Sequence, residues 1–463
     1  MKNCRQYEGE QHRRQRLAQR ENRWASAGGW LVARLSARAG LVGTLLALAV
    51  GLCLAGCGSP EAAPAPPPAG PTPTVTVPVE MPVVIAITGA FDDQTLATLD
   101  RQISAFEQTN PDILVEVVNA RGTEQERQMG FAEALAQGDS SRDIYVVDYH
   151  WLAGFSTPGW LRPLDGLFDG QGLDLDSFLP PAVDASQGDG DLLAIPWTVD
   201  AGLLYYRLDQ LDQPPATWPE LEQAALEPAQ PAGLPYGFVW PGATGDTLAC
   251  ITLEFVWAYG GDVLGPTGDV VFDSPAARAA LQQMLGLVNT GASPQQVIAY
   301  TEAATLEVFQ SGKALMMRNW ASAWEGLNAP GSALVGRVAV APLPASCLGG
   351  QGLVLSGSSL HPEQAFQFMA FLASHEQQAQ LAREGAALPA LESVYHDPVV
   401  LAEDPALAEL YVGLLAVRPR PKSEDYELLS QAVYTEVHAL LAGEQDVETT
   451  ATSIQNRLEE ISH

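Results

Sequence analysis

The stretch Ala194-Ile195-Pro196-Trp197-Thr198-Val199-Asp200-Ala201-Gly202-Leu203-Leu204-Tyr205-Tyr206-Arg207 constrains the fold more than any other. Pro196 fixes its own φ and pushes Ile195 into an extended conformation. Leu203 to Tyr206 is apolar and aromatic, the signature of a short buried strand. Gly202 is free to take backbone angles closed to other residues. One carboxylate, Asp200, sits between the Pro and the Gly. Such a stretch suits chain that crosses from one packed unit to another and leaves an acid at the crossing. The alternative is an ordinary surface loop feeding a strand.

The chain on either side has the size and patterning for two such units. It has 463 residues, 47% hydrophobic and 17% charged, enough for more than one core. Val83-Val84-Ile85-Ala86-Ile87 is a strand, and Leu96, Leu99, Ile103 and Phe106 share one face of a helix that Asn110-Pro111 stops. Ile113 to Val118 is the next strand. This β-α-β opening calls for an α/β sheet covered by helices. A second helix over Thr123 to Gln137 leads to the strand Asp143 to Asp148. Ligands of open α/β sheets gather at the carboxyl ends of strands, so Asp148 is expected to face one, with a structural cap as the alternative.

Beyond the crossing, Thr217 and Glu220 have the spacing of a capping box, and Trp218 reads as core. Leu248 to Tyr259 is a helix closed by Gly260-Gly261. Ala314-Leu315-Met316-Met317 is a buried strand that delivers Trp320 onto an exit loop. Val338 to Pro344 reads as a second crossing, and Leu348-Gly349-Gly350-Gln351-Gly352 begins the return. Helical spacing resumes over Pro362 to Arg383, Pro398 to Leu415 and Tyr426 to Leu441.

The N-terminus reads as an address. Arg34 and Arg38 precede the apolar run Leu41 to Leu52, which has the length of a signal-peptide core and is short for a membrane span. Leu54-Ala55-Gly56-Cys57 then resembles a bacterial lipobox, in which the Cys57 thiol accepts the lipid. Pro60 to Pro82, rich in Pro, Ala and Thr, stays extended and reads as a tether.

Charge and motif content narrow the function. The whole chain carries −31; from Cys57 onward 15 basic residues face 52 acidic ones, a net of −37. Such a surface repels nucleic acid and anionic lipid head groups. The two cysteines beyond the N-terminal segment, Cys250 and Cys347, are far apart, and no clustered ligands at zinc spacing occur. Their pairing stays open at this point. His375-Glu376-Gln377-Gln378-Ala379 lacks the second His of a zinc-protease motif, and neither a nucleophile elbow nor a Walker loop is present. No metal, cofactor or catalytic group is therefore expected. A glycosidase needs only two carboxylates about 5 to 10 Å apart, so a carbohydrate-active enzyme stands as the alternative of a different class.

In chain order, Phe106-Glu107-x-x-Asn110-Pro111-Asp112-Ile113-x-Val115-Glu116-Val117, the loop after Asp148, the crossing at Pro196, Pro215-x-Thr217-Trp218-x-Glu220-Leu221 and Phe309-Gln310-Ser311-Gly312-Lys313 resemble the extracellular solute-binding proteins of ABC importers, in the branch that binds maltose, trehalose and related sugars. The resemblance runs from about Val83 to the C-terminus. It implies a two-lobed periplasmic-binding-protein-like α/β fold with a hinge of several crossings, near Pro196, Pro342 and Leu388. It implies an N-terminal lobe of residues 83–194 plus 340–390 and a C-terminal lobe of 195–339 plus 391–463, behind a signal peptide (1–56) and a lipidated tether (57–82).

The function implied is capture of a disaccharide or short oligosaccharide by a monomer held outside the membrane through lipid on Cys57, and delivery to the importer's transmembrane subunits. Another neutral solute, such as a polyol, is the runner-up. Positions matching Asp148, Asp200, Trp320, Gly349, Gly350 and Arg420 line the family's cleft, and Arg121 is expected to reach it. Two departures stand out: Gln351 where the family often has Trp after Gly-Gly, and Thr198 where it often has an aromatic two residues before the acid. Trp151, Trp197 and Trp240 are the candidates to replace those platforms, although each is more often core than cleft.

Overall fold

The computed structural model describes residues 81–461, apart from 158, 169–172, 189, 227–232 and 329–330. The expected signal peptide, the lipidation site Cys57 and all but the end of the tether lie outside the described residues.

The first lobe is built as the alternation of strands and helices demands. Strands β1 (Val83–Gly89) and β2 (Ile113–Asn119) pair in parallel across helix α1 (Asp93–Thr109), and β1 also pairs in parallel with β3 (Ile144–Asp148). Asp92 caps α1, its carboxylate accepting the Thr95 N–H at 2.7 Å. Leu99, Ile103 and Phe106 are buried along one face of α1, as their spacing requires. Helix α2 (Glu124–Ala136) opens on a complete capping box between Thr123 and Glu126. The sheet order is β2-β1-β3-β10-β4, where β4 is Ala194–Pro196 and β10 is Gln351–Leu355, both arriving from the far end of the lobe.

The second lobe is organised on β5 (Thr198–Arg207). Along one edge it pairs with β7 (Ala314–Trp320), which pairs in parallel with β6 (Tyr236–Val239). It also pairs with β8 (Val338–Pro342), β9 (Ser346–Gly349) and β11 (Leu388–Pro389). Strand β12 (Val417–Arg418) adds to β9. Helix α3 (Asp246–Ala258) is buried along nearly its whole length, and α7 (Tyr426–Leu441) packs on it. Trp218 stacks on Phe255, ring centroids 3.7 Å apart.

Three expectations change. The crossing placed near Pro342 falls at Gly349–Gly350 instead, because β8 and β9 both stay paired with β5. Residues 340–349 thus belong to the second sheet rather than to the first lobe. The single helix over Pro398 to Leu415 is two, Pro398–Glu403 and α6 (Leu407–Leu414), because Pro405 lacks the N–H and clashes with the preceding turn. Gly202 is needed for space rather than for unusual angles. A Cβ there would lie 2.1 Å from Glu254 Oε1 and 2.6 Å from an Arg318 nitrogen.

The crossings lie side by side. The Trp197 N–H donates to Gln351 O (3.1 Å), and the Ala390 N–H donates to Trp197 O (3.2 Å). The Gln351 N–H donates to Thr198 Oγ1 (3.1 Å), and the Tyr149 hydroxyl donates to Thr198 O (3.0 Å). Gly350 has φ of 103°, and a Cβ on it would meet Thr198 O at 2.4 Å. Only glycine lets the second crossing run so close to the first. The two departures from the family pattern, Thr198 and Gln351, therefore bond to each other at the hinge.

Candidate functional site

The crossing at Leu348–Gln351 gathers the site into two neighbouring groups. The first lies on the second lobe. Asp200 sits in β5 opposite Gly349, and its Oδ1 accepts the N–H of Ala201 (2.8 Å) and of Ser322 (3.2 Å). Burial raises the Asp200 pKa, and these hydrogen bonds only partly oppose it. Trp320, half-buried at the end of β7, comes alongside. A Cβ on Gly349 would lie 3.1 Å from Asp200 Cβ and 3.1 Å from the Trp320 ring. The missing side chain lets the Gly349 backbone pack directly against Asp200 and the indole.

The Trp320 ring rests on a charged floor. The Arg318 guanidinium is 4.5 Å from its centroid, a cation–π distance. Arg318 is held by a two-pronged bond to Glu254, Nε–Oε2 3.0 Å and Nη2–Oε1 2.6 Å, with both side chains wholly buried. The Tyr205 hydroxyl donates to the carbonyls of Trp320 (2.7 Å) and Ala321 (3.0 Å), fixing the exit of β7.

The second group is where the lobes meet. Asp148 ends β3 opposite Gln351. Burial raises its pKa, opposed by the charges of His150 and Arg420 and by a hydrogen bond from Gln351. Arg420 hydrogen-bonds the Asp246 carboxylate at the start of α3 and reaches Leu348 O at 3.5 Å. Asp246 also accepts the hydroxyls of Tyr426 (2.8 Å) and Ser430 (2.7 Å). Burial alone would raise the Asp246 pKa, but Arg420, His150 and the two hydroxyls bring it down to about 2. From the first lobe, Glu124 and His150 face this group, His150 Nε2 standing 3.2 Å from Glu124 Oε1 and its ring 5.1 Å from that of Tyr426. Lys422 reaches across to Asp184, 3.0 Å away.

Two cavities flank the crossing. One of about 150 Å³ is lined by Tyr149, His150, Leu348, Arg420 and Lys422 among others. The other, about 130 Å³, is lined by Asp92, Ser322, Trp324, Glu325 and Ala386 among others. Each is smaller than the roughly 300 Å³ at which small-molecule pockets begin. A third, more open hollow of about 500 Å³ lies between Pro180–Asp184 of the first lobe and Val417–Lys422 of the second.

Of the residues singled out in the sequence, Asp200, Trp320 and Gly349 pack together, and Asp148, Gly350 and Arg420 lie on the other side of the same crossing. Arg121 is not drawn in; it is exposed after β2 and makes no ion pair with any described residue. The proposed replacement platforms are core, with Trp151, Trp197 and Trp240 at most 2% exposed. Sequence reasoning missed Glu124, His150, Asp246, Glu254, Arg318 and Tyr426. One signal was available: Arg318 stands inside the apolar run of β7, where a charge needs a buried partner.

Residues 92–379 match the family model described as bacterial extracellular solute-binding protein. A probable ABC transporter-binding protein of Deinococcus radiodurans is 30% identical over 335 residues, covering 67% of this chain and 78% of that one. The maltose-bound MalE3 of T. maritima superposes with a TM-score of 0.74 at 36% identity, over 82% of this chain and 100% of that one. A mannitol-binding protein of Pseudomonas aeruginosa is 26% identical over 160 residues, covering 33% of this chain and 36% of that one. Among the described residues no helix is long and apolar enough to cross a membrane.

Proposed function

Because the chain belongs to the bacterial extracellular solute-binding proteins, we propose that it captures a maltose-type disaccharide or short oligosaccharide and delivers it to an ABC importer. The observation that carries this reading is the packing of Trp320, Asp200 and Gly349 beside the crossing, with Asp148 on the facing lobe. An aromatic face covers the C–H face of a sugar ring, while carboxylates and open backbone take its hydroxyls. The likeness to a maltose-bound protein at 36% identity supports the sugar class. A ligand touching both lobes binds the closed state better and so shifts the hinge toward it. The sugar leaves unaltered. Lipid on Cys57 would hold a monomer outside the membrane; in that case Cys57→Ala moves the protein from membrane to medium.

The partial likeness to a mannitol-binding protein favours a polyol as the second reading. A thermal-shift panel of maltose, trehalose, maltotriose and mannitol separates the two, since a ligand of the folded state raises its stability. Titration calorimetry with the best ligand then tests the site. Trp320→Ala is expected to weaken binding by about 1–3 kcal/mol. Asp148→Asn and Asp200→Asn should each cost about tenfold, with a non-additive double variant because both act through one ligand. Wild-type affinity in the folded single variants would move the site elsewhere, and hydrolysed sugar in the recovered ligand would point to an enzyme.

A further inference from the structure

His150 is the buried side chain that the sugar reading leaves without work. Only 3% of it is exposed, and neither ring nitrogen has a hydrogen-bond partner. Nε2 comes within 3.2 Å of Glu124 Oε1, close enough for an ion pair but not aligned as a hydrogen bond. A buried imidazole with no partner at Nδ1 and only an unaligned carboxylate at Nε2 carries a desolvation cost that something else must offset. The ring points at two carboxylates from different lobes: one donor atom each of Glu124, His150 and Asp246 lie within 4.8 Å of one another.

We infer that Glu124, His150 and Asp246 form a site for a divalent transition metal of the Zn²⁺ class that fastens the two lobes together. One imidazole and two carboxylates are a ligand set that zinc accepts, at about 2.0–2.2 Å from each donor. Donors at that distance in tetrahedral geometry lie about 3.4 Å apart, so the widest pair must close by up to about 1.4 Å from its limit of 4.8 Å. Glu124, at the exposed start of α2, has the freedom to make that move. Water completes the coordination from the solvent side of Glu124. The arrangement escapes a search for short ligand spacings because the donors come from α2, the turn after β3 and the start of α3.

Arg420 shares Asp246, and its charge opposes a second cation. It bonds one carboxylate oxygen, Oδ2, while Tyr426 and Ser430 bond Oδ1. The other charged groups about His150 are the acids Glu124 from α2, Asp148 from β3, Glu427 from α7 and Glu424, and the base Lys422, which is paired with Asp184. Two metal-binding carboxylates and Asp148 outnumber the one guanidinium. Glu124 and His150 belong to the first lobe and Asp246 to the second, so the bound ion adds to closure. The three donors meet only with the lobes together, so both the site and that consequence rest on the hinge motion proposed above.

The test is calorimetric titration of Zn²⁺ into the mature exported chain, freed of metal by a chelator and without sugar. One saturable site is expected, with Ca²⁺ giving no comparable heat. His150→Ala and, as the variant safest for folding, Glu124→Gln should each weaken it at least about tenfold. In a separate arm, Zn²⁺ should tighten binding of the best sugar in wild type and leave the His150→Ala protein unchanged. Sugar binding without a zinc effect removes the fastening role; zinc binding without sugar binding removes the sugar reading alone. Wild-type Zn²⁺ affinity in both variants, or no saturable Zn²⁺ heat in wild type, overturns the site.

Discussion

Two arginine–carboxylate pairs flank the crossing, and they differ in what surrounds them. Arg318–Glu254 is sealed, both side chains at 0% exposure, inside the second lobe beneath Trp320. Arg420–Asp246 stands at the edge of that lobe, where Glu124 and His150 arrive from the other. The partners of the sealed pair all belong to the second lobe, so the hinge motion proposed above would leave it intact as a floor under Trp320. The same motion would take Glu124 and His150 from the edge pair and change its electrostatics.

The largest effect should come from breaking the sealed pair. Glu254→Gln leaves the Arg318 guanidinium buried without a counter-charge, and it also weakens the acceptor of the Cys347 N–H. Removing one partner of a buried pair costs about 3–5 kcal/mol. Urea unfolding should show that loss, with the remaining folded protein binding sugar less well through a displaced Trp320. Destabilisation under 1 kcal/mol would mean water reaches Arg318 and the floor is not sealed.

A smaller effect is expected at the edge pair, and pH reads it. The Asp246 pKa is lowered to about 2 by Arg420 and its other partners against the cost of burial. A carboxylate held below its unfolded value of about 3.9 contributes stability above that pH and loses it as pH falls toward about 2. Asp246→Asn should therefore cost about 2 kcal/mol at neutral pH and flatten the acid limb of the stability curve. Asp148 and Asp200 have the opposite sign. Burial raises both, so they take up protons first on acidification and do not add to that limb. An unchanged acid limb in the variant would mean that Asp246 and Arg420 part in solution.

What the sequence made legible follows the range of the forces involved. The β-α-β opening, the helix after Thr123 and the buried stretch after Pro196 are local, and periodicity reports them. The position of the second crossing is not local. Val338–Pro342 looks like chain leaving a lobe because its apolar alternation ends in prolines, yet whether it stays paired with β5 depends on a strand more than a hundred residues away. Asp200, Trp320 and Gly349 were recognisable because each ends or interrupts an element at a crossing. His150 and Asp246 gave no such sign; only the docking of two lobes makes them neighbours. Trp151, Trp197 and Trp240 took the commoner of their two uses, the core, since a tryptophan carries as much apolar area into a core as it would offer a sugar.

The smallest effect belongs to Lys422–Asp184, and it sharpens the contrast between floor and edge. Lys422 Nζ lies 3.0 Å from Asp184 Oδ1 and 2.7 Å from Asp184 O, with the two side chains 46% and 59% exposed. Asp184 lies in the short helix Pro180–Ala185 that packs on β4 of the first lobe, while Lys422 leads into α7 of the second. The contact therefore exists only when the lobes are together. Exposed pairs are worth about 0.2–1 kcal/mol, so Lys422→Ala should weaken sugar binding by no more than about fivefold. The loss should shrink as salt shortens the Debye length from about 10 Å at 0.1 M to 3 Å at 1 M. Thermal stability of the sugar-free protein should stay as it is, because an open cleft never forms the pair. A variant that loses stability without sugar would mean that the lobes already rest closed, and that sugar binding requires opening first.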